Sequence, residues 1–338
     1  MKIKFSRLKR LLQNLALSVA SLMICAVLLE TTLRFCGYGN LEIYEPDPVL
    51  YWKLKANQDC YTKVGHKPVH INSHGTRGPE FPTTKPPNSV RVLCLGDSRT
   101  FGWGLSGPET YSAVLGGLLQ QHFGAARKIE VINAGVNAWS YAQMRAYFRD
   151  RGLSQEPDFV VLGGANAWTQ FSERSSPEFV RKFMSRVRLK NFLRRFAIYH
   201  FIVEIELQEV YHRYRTRFIP VDPSRDALFK EQQQKDPDAF FRAEIQGLCL
   251  FAVEKKIKPV LLYLPTLDEM NSTNISRDLK AKIAVSREAN IPLIDFTPDL
   301  APRGKSLYLD GDPVHLNAEG NEIIARRLFA SMTNWVSP

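Results

Sequence analysis

The chain has 338 residues and a formal net charge of +11. Residues 90–332 alternate between short β-rich runs and helical stretches, and about 240 residues make one domain of ordinary size with ample length to bury a core. The five cysteines do not define a disulfide scaffold, because Cys25, Cys94 and Cys249 lie in apolar segments. Cys36 and Cys60 would lie in an oxidising compartment, and the sequence leaves open whether they pair.

The N-terminus predicts a membrane anchor. Five basic residues precede a largely apolar stretch over residues 11–29, which as a helix would be about 28 Å long, close to the thickness of the hydrocarbon core. A cleaved signal peptide is the alternative, but no A-x-A-like cleavage site follows Leu29. We therefore expect residues 1–36 to form a cytoplasmic basic tip and an uncleaved, single-pass signal anchor in the cell (inner) membrane.

The orientation of that anchor decides the compartment of the remaining chain. Positive charge before the span places the N-terminus in the cytoplasm and the rest of the chain in the periplasm or another extracytoplasmic space. That location excludes nucleic acid as a partner, although the net charge alone would permit it.

Residues 37–89 predict a juxtamembrane arm. They are rich in proline, glycine and polar residues and show no sustained helical or strand period. His70 and His74 lie in this arm without an accompanying cluster of ligand residues, so we interpret them as polar loop residues and predict no metal site.

Residues 90–338 predict an α/β domain. The strand candidates are five apolar runs, each followed by a loop with polar residues, at residues 90–95, 129–132, 159–162, 259–264 and 292–296. Alternation of such runs with helical stretches favours a three-layer α/β/α architecture. It would have a mainly parallel, flavodoxin-like, five-stranded sheet and a functional site at the carboxyl ends of the strands.

Two motifs more than two hundred residues apart carry chemistry. The first, Gly96-Asp97-Ser98-Arg99-Thr100-Phe101-Gly102, places a serine hydroxyl where a strand gives way to a helix. A serine hydroxyl is a weak nucleophile, so it needs an adjacent base and a third group that orients the base. The second motif, Asp312-Pro313-Val314-His315, offers both on one tight loop, with the carboxylate fixing the imidazole tautomer and the other ring nitrogen facing Ser98.

Both motifs resemble those of the SGNH (GDSL-type) hydrolase family, in its membrane-anchored extracytoplasmic subgroup. The serine block of that family is matched by Ser98, and its D-x-x-H block is matched by Asp312 and His315. The resemblance also implies an oxyanion hole made of the Ser98 N–H, the N–H of Gly135 and the side-chain amide of Asn166.

Two residues depart from the family pattern. Ala167 follows Asn166 where the family commonly has aspartate, and Ala138 stands where the second block often has another glycine. Neither departure removes an assigned catalytic group. The segment over residues 71–78 resembles a motif that precedes the catalytic domain in membrane-anchored relatives, and we expect it to lie against that domain.

A basic, aromatic-rich insertion interrupts the α/β pattern over about residues 172–235. Arginine and lysine alternate there with aromatic residues, which is typical of amphipathic helices. One interpretation is a lid or groove over Ser98 that touches the membrane surface or an anionic polymer. The other is a helical hairpin with its aromatic side packed on the sheet and its charges solvated.

The resemblance implies a serine esterase, with no metal or organic cofactor. Its substrate would be an acyl ester, acetyl or another short chain, on an extracytoplasmic carbohydrate or lipid, and the reaction would pass through an acyl-serine intermediate. One alternative is an O-acyltransferase that modifies an exopolysaccharide beside a membrane-bound O-acyltransferase partner. Another is a catalytically silent scaffold subunit of an envelope complex, against which the presence of all five site residues argues.

Overall fold

The computed structural model describes residues 2–165, 177–204 and 237–336. The helices and strands are, in chain order, α1 (Lys2–Phe35), β1 (Tyr44–Asp47), β2 (Tyr51–Leu54), β3 (Gln58–Tyr61), β4 (Pro68–Ile71), β5 (Ser89–Gly96), α2 (Ser98–Phe101), α3 (Tyr111–Phe123), β6 (Lys128–Gly135), α4 (Tyr141–Tyr147), β7 (Phe159–Leu162), α5 (Pro177–Leu193), α6 (Ala197–Glu204), α7 (Pro237–Glu254), β8 (Lys258–Tyr263), α8 (Leu267–Met270), α9 (Arg277–Ala289), β9 (Leu293–Asp295), α10 (Thr297–Leu300) and α11 (Ala318–Met332). Short 3₁₀ turns and one π turn connect several of them.

A five-stranded parallel sheet forms the centre of the domain. Its strands lie in the order β6-β5-β7-β8-β9, and every neighbouring pair runs parallel. This is the flavodoxin-like order, in which the site lies beyond the carboxyl ends of the strands where the chain direction across the sheet reverses. The predicted α/β class is therefore confirmed, and each of the five predicted strands overlaps an observed one.

Helices cover both faces of this sheet. One apolar cluster joins Leu93 and Leu95 of β5 to side chains of α4, α7 and α9. The other joins Val92 and Cys94 of the same strand to α3 and α11. Successive side chains of a strand point to opposite faces, so β5 is apolar at every one of these positions because helices bury both of its faces.

The arm over residues 37–89 contains two antiparallel hairpins, β1–β2 and β3–β4, that the sequence did not predict. Each strand is only four residues long, too short to show a clear alternation. The hairpins pack on the domain through long-range bonds: the Trp52 indole donates to Asn137 O at 3.0 Å, and the Trp139 indole donates to Trp52 O at 3.0 Å. Within the segment over residues 71–78, the Arg77 N–H donates to Asn133 O, so this segment lies against the sheet.

The described part of the basic insertion is the helix pair α5–α6. Helix α5 packs on β1 and β2, and α6 packs on α1. Neither of the two packing arrangements considered from the sequence, on the sheet or over Ser98, describes this position. A long-range ion pair holds α5 in this position: buried Arg194, which directly follows α5, lies 2.7 Å from Glu42 of the arm. Residues 172–176 and 205–235 of the insertion lie outside the described residues.

Helix α1 is long and apolar enough to cross a membrane over Lys9–Phe35, with a mean hydropathy of 2.0. Length and composition alone support this, and a signal sequence meets the same test.

Cys36, just beyond α1, is exposed and Cys60 is buried, and both are free thiols in this structure.

Candidate active site

Ser98 lies at the point where β5 turns into α2. Strand β5 ends at Gly96, Asp97 caps the helix by accepting the Arg99 N–H at 3.0 Å, and Ser98 is the first helical residue. The turn is tight: a Cβ on Gly96 would lie 1.9 Å from the Thr100 hydroxyl oxygen. Only glycine, which has no Cβ, fits at position 96. The tight turn holds the Ser98 hydroxyl at the carboxyl end of the central strand.

A continuous hydrogen-bond line joins Ser98 to His315 and Asp312. His315 Nε2 lies 2.7 Å from Ser98 Oγ, and His315 Nδ1 lies 2.6 Å from Asp312 Oδ2. A carboxylate only accepts, so Nδ1 carries the proton and Nε2 is left to accept from the serine hydroxyl. All three residues are half-buried, which leaves the serine within reach of a substrate.

The loop that carries Asp312 and His315 is held in place by hydrogen bonds within the loop and from helix α8. Asp312 Oδ1 accepts the N–H groups of Val314 at 2.8 Å and His315 at 3.1 Å. The Leu309 N–H donates to His315 O at 2.9 Å, and Pro313 O accepts the Leu267 N–H. Helix α11 begins after Asn317, whose side chain caps it through the Gly320 N–H at 3.0 Å. These contacts fix the imidazole before any substrate is present.

Two carboxyl groups of the site have lowered pKa values. Burial alone would raise the pKa of Asp312, but the hydrogen bond and charge of His315 and the two backbone N–H groups outweigh it, so the pKa is below its ordinary value. Burial would likewise raise the pKa of Asp97, and the Arg99 guanidinium outweighs it and lowers that pKa. Both residues are therefore carboxylates at neutral pH.

Gly135 lies where the sequence placed it, at the end of β6 beside the Ser98 turn, but its N–H already has a partner. That N–H donates to Asn133 Oδ1 at 3.0 Å, and a Cβ on Gly135 would lie 2.3 Å from the Phe101 nitrogen. Gly135 therefore permits the close approach of β6 and α2, and its N–H is not free to bind an oxyanion in this state.

The turn over residues 136–139 offers another backbone donor, the N–H of Ala138. The turn is closed by the Trp139 N–H, which donates to Val136 O at 3.1 Å, and Ala138 has φ +63° at its third position. This is the position at which a type II turn favours glycine. Ala138 is exposed, and within the described ranges no acceptor is recorded for its N–H. The signal was present in the sequence, since Ala138 stands where the family often has glycine.

Asn166 lies outside the described residues, but the chain leading to it is tied to the Ser98 turn. The Asp97 N–H donates to Gly164 O at 2.9 Å, and Arg99 Nη2 donates to Ala165 O at 3.1 Å. Arg99 Nη1 also donates to Leu264 O, at the end of β8. Arg99 thus joins three strand ends around the serine. Arg99 lies within the first motif, whose sequence alone indicates no role for it.

Trp103 forms one wall beside the serine. Its N–H donates to Ser98 O at 3.0 Å, and its ring lies 5.9 Å from the His315 ring, centroid to centroid. Trp103, Leu264 and Ile324 help to line a cavity of about 10 Å³ that adjoins Ser98 and His315. This is near the minimum volume that holds one water molecule.

Cys94, the other nucleophilic side chain near Ser98, is buried in β5. Burial raises the pKa of its thiol to about 12. No cluster of metal-ligating side chains is found among the residues described.

Comparison with known proteins identifies the family. The model of the GDSL-like lipase/acylhydrolase family matches residues 94–323, a range that includes Ser98, Asp312 and His315. No curated protein sequence matches the chain.

Solved structures of similar architecture share little sequence with this chain. Axe2, an acetylxylan esterase from Geobacillus stearothermophilus, is 17% identical over 72% of this chain and 94% of its own, with a TM-score of 0.44. The lipase/acylhydrolase from Enterococcus faecalis is 16% identical over 74% of this chain and 98% of its own, with a TM-score of 0.44. Because the family model covers more than half of the sequence, the chain belongs to the GDSL-like lipase/acylhydrolase family and is an SGNH-type ester hydrolase.

Proposed function

We propose that this protein is a membrane-anchored serine esterase in which Ser98 is the nucleophile, His315 the general base and Asp312 the group that orients it. The observation that supports this most directly is the line of two short hydrogen bonds, 2.7 Å from Ser98 to His315 and 2.6 Å from His315 to Asp312. A nucleophile within hydrogen-bond reach of a base, itself oriented by a third group, is the arrangement that activates a serine.

The reaction has two halves. In the first, Ser98 Oγ forms a bond to the ester carbonyl carbon while its proton passes to His315 Nε2, and the ester C–O bond then breaks as His315 returns that proton to the leaving alcohol. In the second, water attacks the acyl-serine and gives a proton to His315. The acyl group leaves as a carboxylic acid, and Ser98 recovers its proton.

The developing oxyanion needs backbone or amide donors. We propose the Ser98 N–H, the Asn166 side-chain amide and, in place of the Gly135 N–H, the N–H of Ala138. The choice of Ala138 is supported by the bond that occupies the Gly135 N–H and by the exposed, left-handed conformation of Ala138. One such donor is worth about 10²–10³-fold in kcat. A structure of the protein inhibited with a fluorophosphonate tests this: the phosphoryl oxygen should lie within hydrogen-bond distance of Ala138 N, and a bond to Gly135 N would contradict it.

The substrate we propose is a short acyl ester, such as acetyl, on a carbohydrate or lipid outside the cytoplasm. The apolar side chains of Trp103 and Leu264, which adjoin Ser98 and His315, support a short acyl group because they would contact it directly. The partly exposed Trp103 ring next to His315 offers an apolar face on which the alcohol half of the ester can pack.

Transfer of the acyl group to a sugar hydroxyl is the second candidate. It uses the same acyl-serine and differs only in which hydroxyl group enters in the second half of the reaction. The position of Trp103 supports transfer, because a sugar packed on that ring would displace the hydrolytic water from His315.

We further propose that α1 is an uncleaved, single-pass anchor in the inner membrane and that the domain and its arm lie in the periplasm or an equivalent space. The basic residues before the apolar stretch and its length support this orientation. The chain would divide into the tip and anchor (residues 1–36), the arm (37–89) and the catalytic domain (90–338).

The experiment treats the detergent-solubilised full chain with a fluorophosphonate probe and a short-chain aryl ester. Wild type should be labelled and should turn over the ester, and Ser98→Ala should lose labelling and about 10⁴-fold or more of turnover. Ser154→Ala, which removes an exposed hydroxyl far from the site, is the matched control and should behave as wild type. Oligosaccharide acceptors and mass spectrometry then separate free acid, the product of hydrolysis, from acylated sugar. A folded wild-type protein that is not labelled would support the scaffold alternative.

A further inference from the structure

The helix pair α5–α6 is joined to α1 at the end of its apolar stretch. Both carboxylate oxygens of Glu30 accept backbone N–H groups of α6, those of Ala197 and Ile198, each at 3.0 Å. Arg34, one turn further along α1, donates to Arg195 O at 2.8 Å. The start of α6 therefore lies level with the first charged residues that follow residues 11–29.

The junction between α5 and α6 is held rigidly from the other side as well. Arg194 is buried, its Nε donates to Glu42 O at 2.6 Å, and its guanidinium pairs with the Glu42 carboxylate. Asn191 bonds to the backbone of Tyr44. The height of this junction relative to α1 is thus fixed by the fold rather than by a loose linker.

Three apolar side chains at this junction are turned to the outside. Leu189, Phe192 and Phe196, here called the junction patch, are 61%, 55% and 39% exposed. Leu189 and Phe192 are three residues apart on one helix and therefore adjacent, and the rings of Phe192 and Phe196 are 5.2 Å apart. Exposed apolar residues are normal when scattered singly, whereas adjoining ones rimmed by polar groups mark an interaction surface.

Basic side chains border the junction patch. Arg186, Arg188, Lys190 and Arg195 are all exposed. On α5, Arg188 precedes Phe192 by four residues and Arg186 precedes Leu189 by three, so these charges lie beside the apolar side chains. Apolar groups bordered by arginine and lysine are the pattern of a helix that lies in the interface of an anionic bilayer.

We propose that the junction patch inserts into the surface of the bilayer that α1 crosses, with the neighbouring arginines and lysine on anionic phospholipid headgroups. This inference rests on the proposed anchoring by α1, because that helix brings the patch to the level of the interface. Its consequence is that two elements, the span and the junction patch, fix the height and tilt of the catalytic domain above the membrane.

The test reads membrane depth in the full chain. Cys25→Ser and Cys36→Ser remove the exposed thiols, and burial raises the pKa of Cys60, Cys94 and Cys249 to about 12, which keeps them unreactive. A nitroxide is attached to Phe192→Cys and, separately, to Leu17→Cys in α1 and Leu250→Cys on α7, the last as a matched exposed apolar control. Collision with oxygen, which enters lipid, is compared with collision with a water-soluble nickel chelate, in nanodiscs of phosphatidylcholine with and without phosphatidylglycerol.

The expected result is an oxygen-to-nickel collision ratio several-fold higher at position 192 than at 250, and lower at 192 when phosphatidylglycerol is omitted. A label at 192 as accessible to nickel as the one at 250, while 17 is in lipid, would overturn this inference and leave the anchor intact. A label at 17 that is accessible to nickel would instead refute the anchor. Shielding of 192 from both reagents would indicate a protein partner or second copy and overturn the lipid assignment. An unchanged ratio without phosphatidylglycerol would overturn the headgroup assignment.

Discussion

The guanidinium of Arg77, in the arm, donates to the backbone oxygen of Phe101, the last residue of the helix that begins at Ser98, at 2.7 Å. The same side chain donates to Gly102 O at 2.8 Å and Leu105 O at 2.5 Å, and it lies 4.7 Å from the centre of the Phe101 ring. Burial lowers the pKa of Arg77 to about 10. The arm therefore supports the helix that begins at Ser98, although it supplies none of the proposed catalytic groups.

Arg77→Met should weaken both the fold and the catalytic step. It removes the guanidinium bonds to three backbone oxygens, of which Gly102 O keeps the Leu105 N–H and Phe101 O keeps a longer bond from Asn133. We expect the free energy of unfolding to fall by about 2–4 kcal/mol. Denaturant unfolding and aryl ester turnover measure the two effects. Lys67→Met, which removes a half-buried lysine that pairs with Glu109 at 3.7 Å, is the control and should change stability by less than about 1 kcal/mol. Equal stability of the two variants would contradict the conclusion that Arg77 of the arm supports the helix that begins at Ser98.

Asp312→Asn should lower turnover by about 10³–10⁴-fold while leaving KM nearly unchanged. An amide at this position can donate to Nδ1 and so favour the imidazole tautomer that has its proton on Nε2, which then cannot accept from Ser98. The measurement is kcat and KM with the aryl ester, alongside a thermal unfolding curve to show that the variant is folded. A loss of less than tenfold would argue against the proposed role of Asp312.

Stability should decline in acid through Asp97 and Asp312. A carboxyl group with a lower pKa in the folded than in the unfolded state stabilises the fold above its unfolded pKa and ceases to do so as pH falls through its folded pKa. Both pKa values are lowered from 3.8. The contribution of these two groups to the free energy of unfolding should therefore be constant above about pH 5 and should decrease below it. Urea unfolding at several pH values measures this, and Asp312→Asn should show a shallower acid slope than wild type.

Arg99→Lys should reduce kcat more than it changes KM. Lysine keeps the charge beside Asp97 but lacks the planar fork that reaches the backbone oxygens of Ala165 and Leu264 at once. The chain before Asn166 would then be less firmly held, and a displacement of about 1 Å in a catalytic group can cost about 10²-fold. Steady-state kinetics measure the effect. Unchanged kcat in the lysine variant would show that the charge alone suffices.

Ala138→Gly should stabilise the protein by about 0.5 kcal/mol without loss of turnover. Relief of the left-handed backbone at φ +63° is worth about 1–2 kcal/mol, and the added freedom of glycine in the unfolded chain offsets about 0.5–1 kcal/mol of it. Ala134→Gly, on the buried strand β6 with extended backbone, is the opposite control and should destabilise. Thermal unfolding of both variants gives the comparison.

The parts of the fold that the sequence predicted are those determined locally. The five sheet strands are apolar runs, each followed by a loop with polar residues. Each of the two chemical motifs lies within a few consecutive residues, so neither needs knowledge of distant contacts. The arm hairpins could not be predicted, because their strands are short and depend on partners such as Asn137 and Trp139 elsewhere in the chain.

The remaining differences have similar causes. The position of α5–α6 depends on Glu30 and Glu42, more than 150 residues away in sequence. The choice between Gly135 and Ala138 depends on where the Asn133 side chain points, which no spacing rule reveals. The resemblance pointed to the block that holds both residues, and the proposal of Ala138 over Gly135 rests on the hydrogen bond of the Gly135 N–H.

Ser98 and His315 meet across 217 positions of sequence. During synthesis the hydroxyl is complete long before the imidazole exists, and all the intervening strands must pair before the two can touch. A chain that is still being synthesised therefore carries a serine that has no base to activate it. Acyl chemistry begins only when the whole sheet has closed, which confines the activity to the compartment where folding finishes.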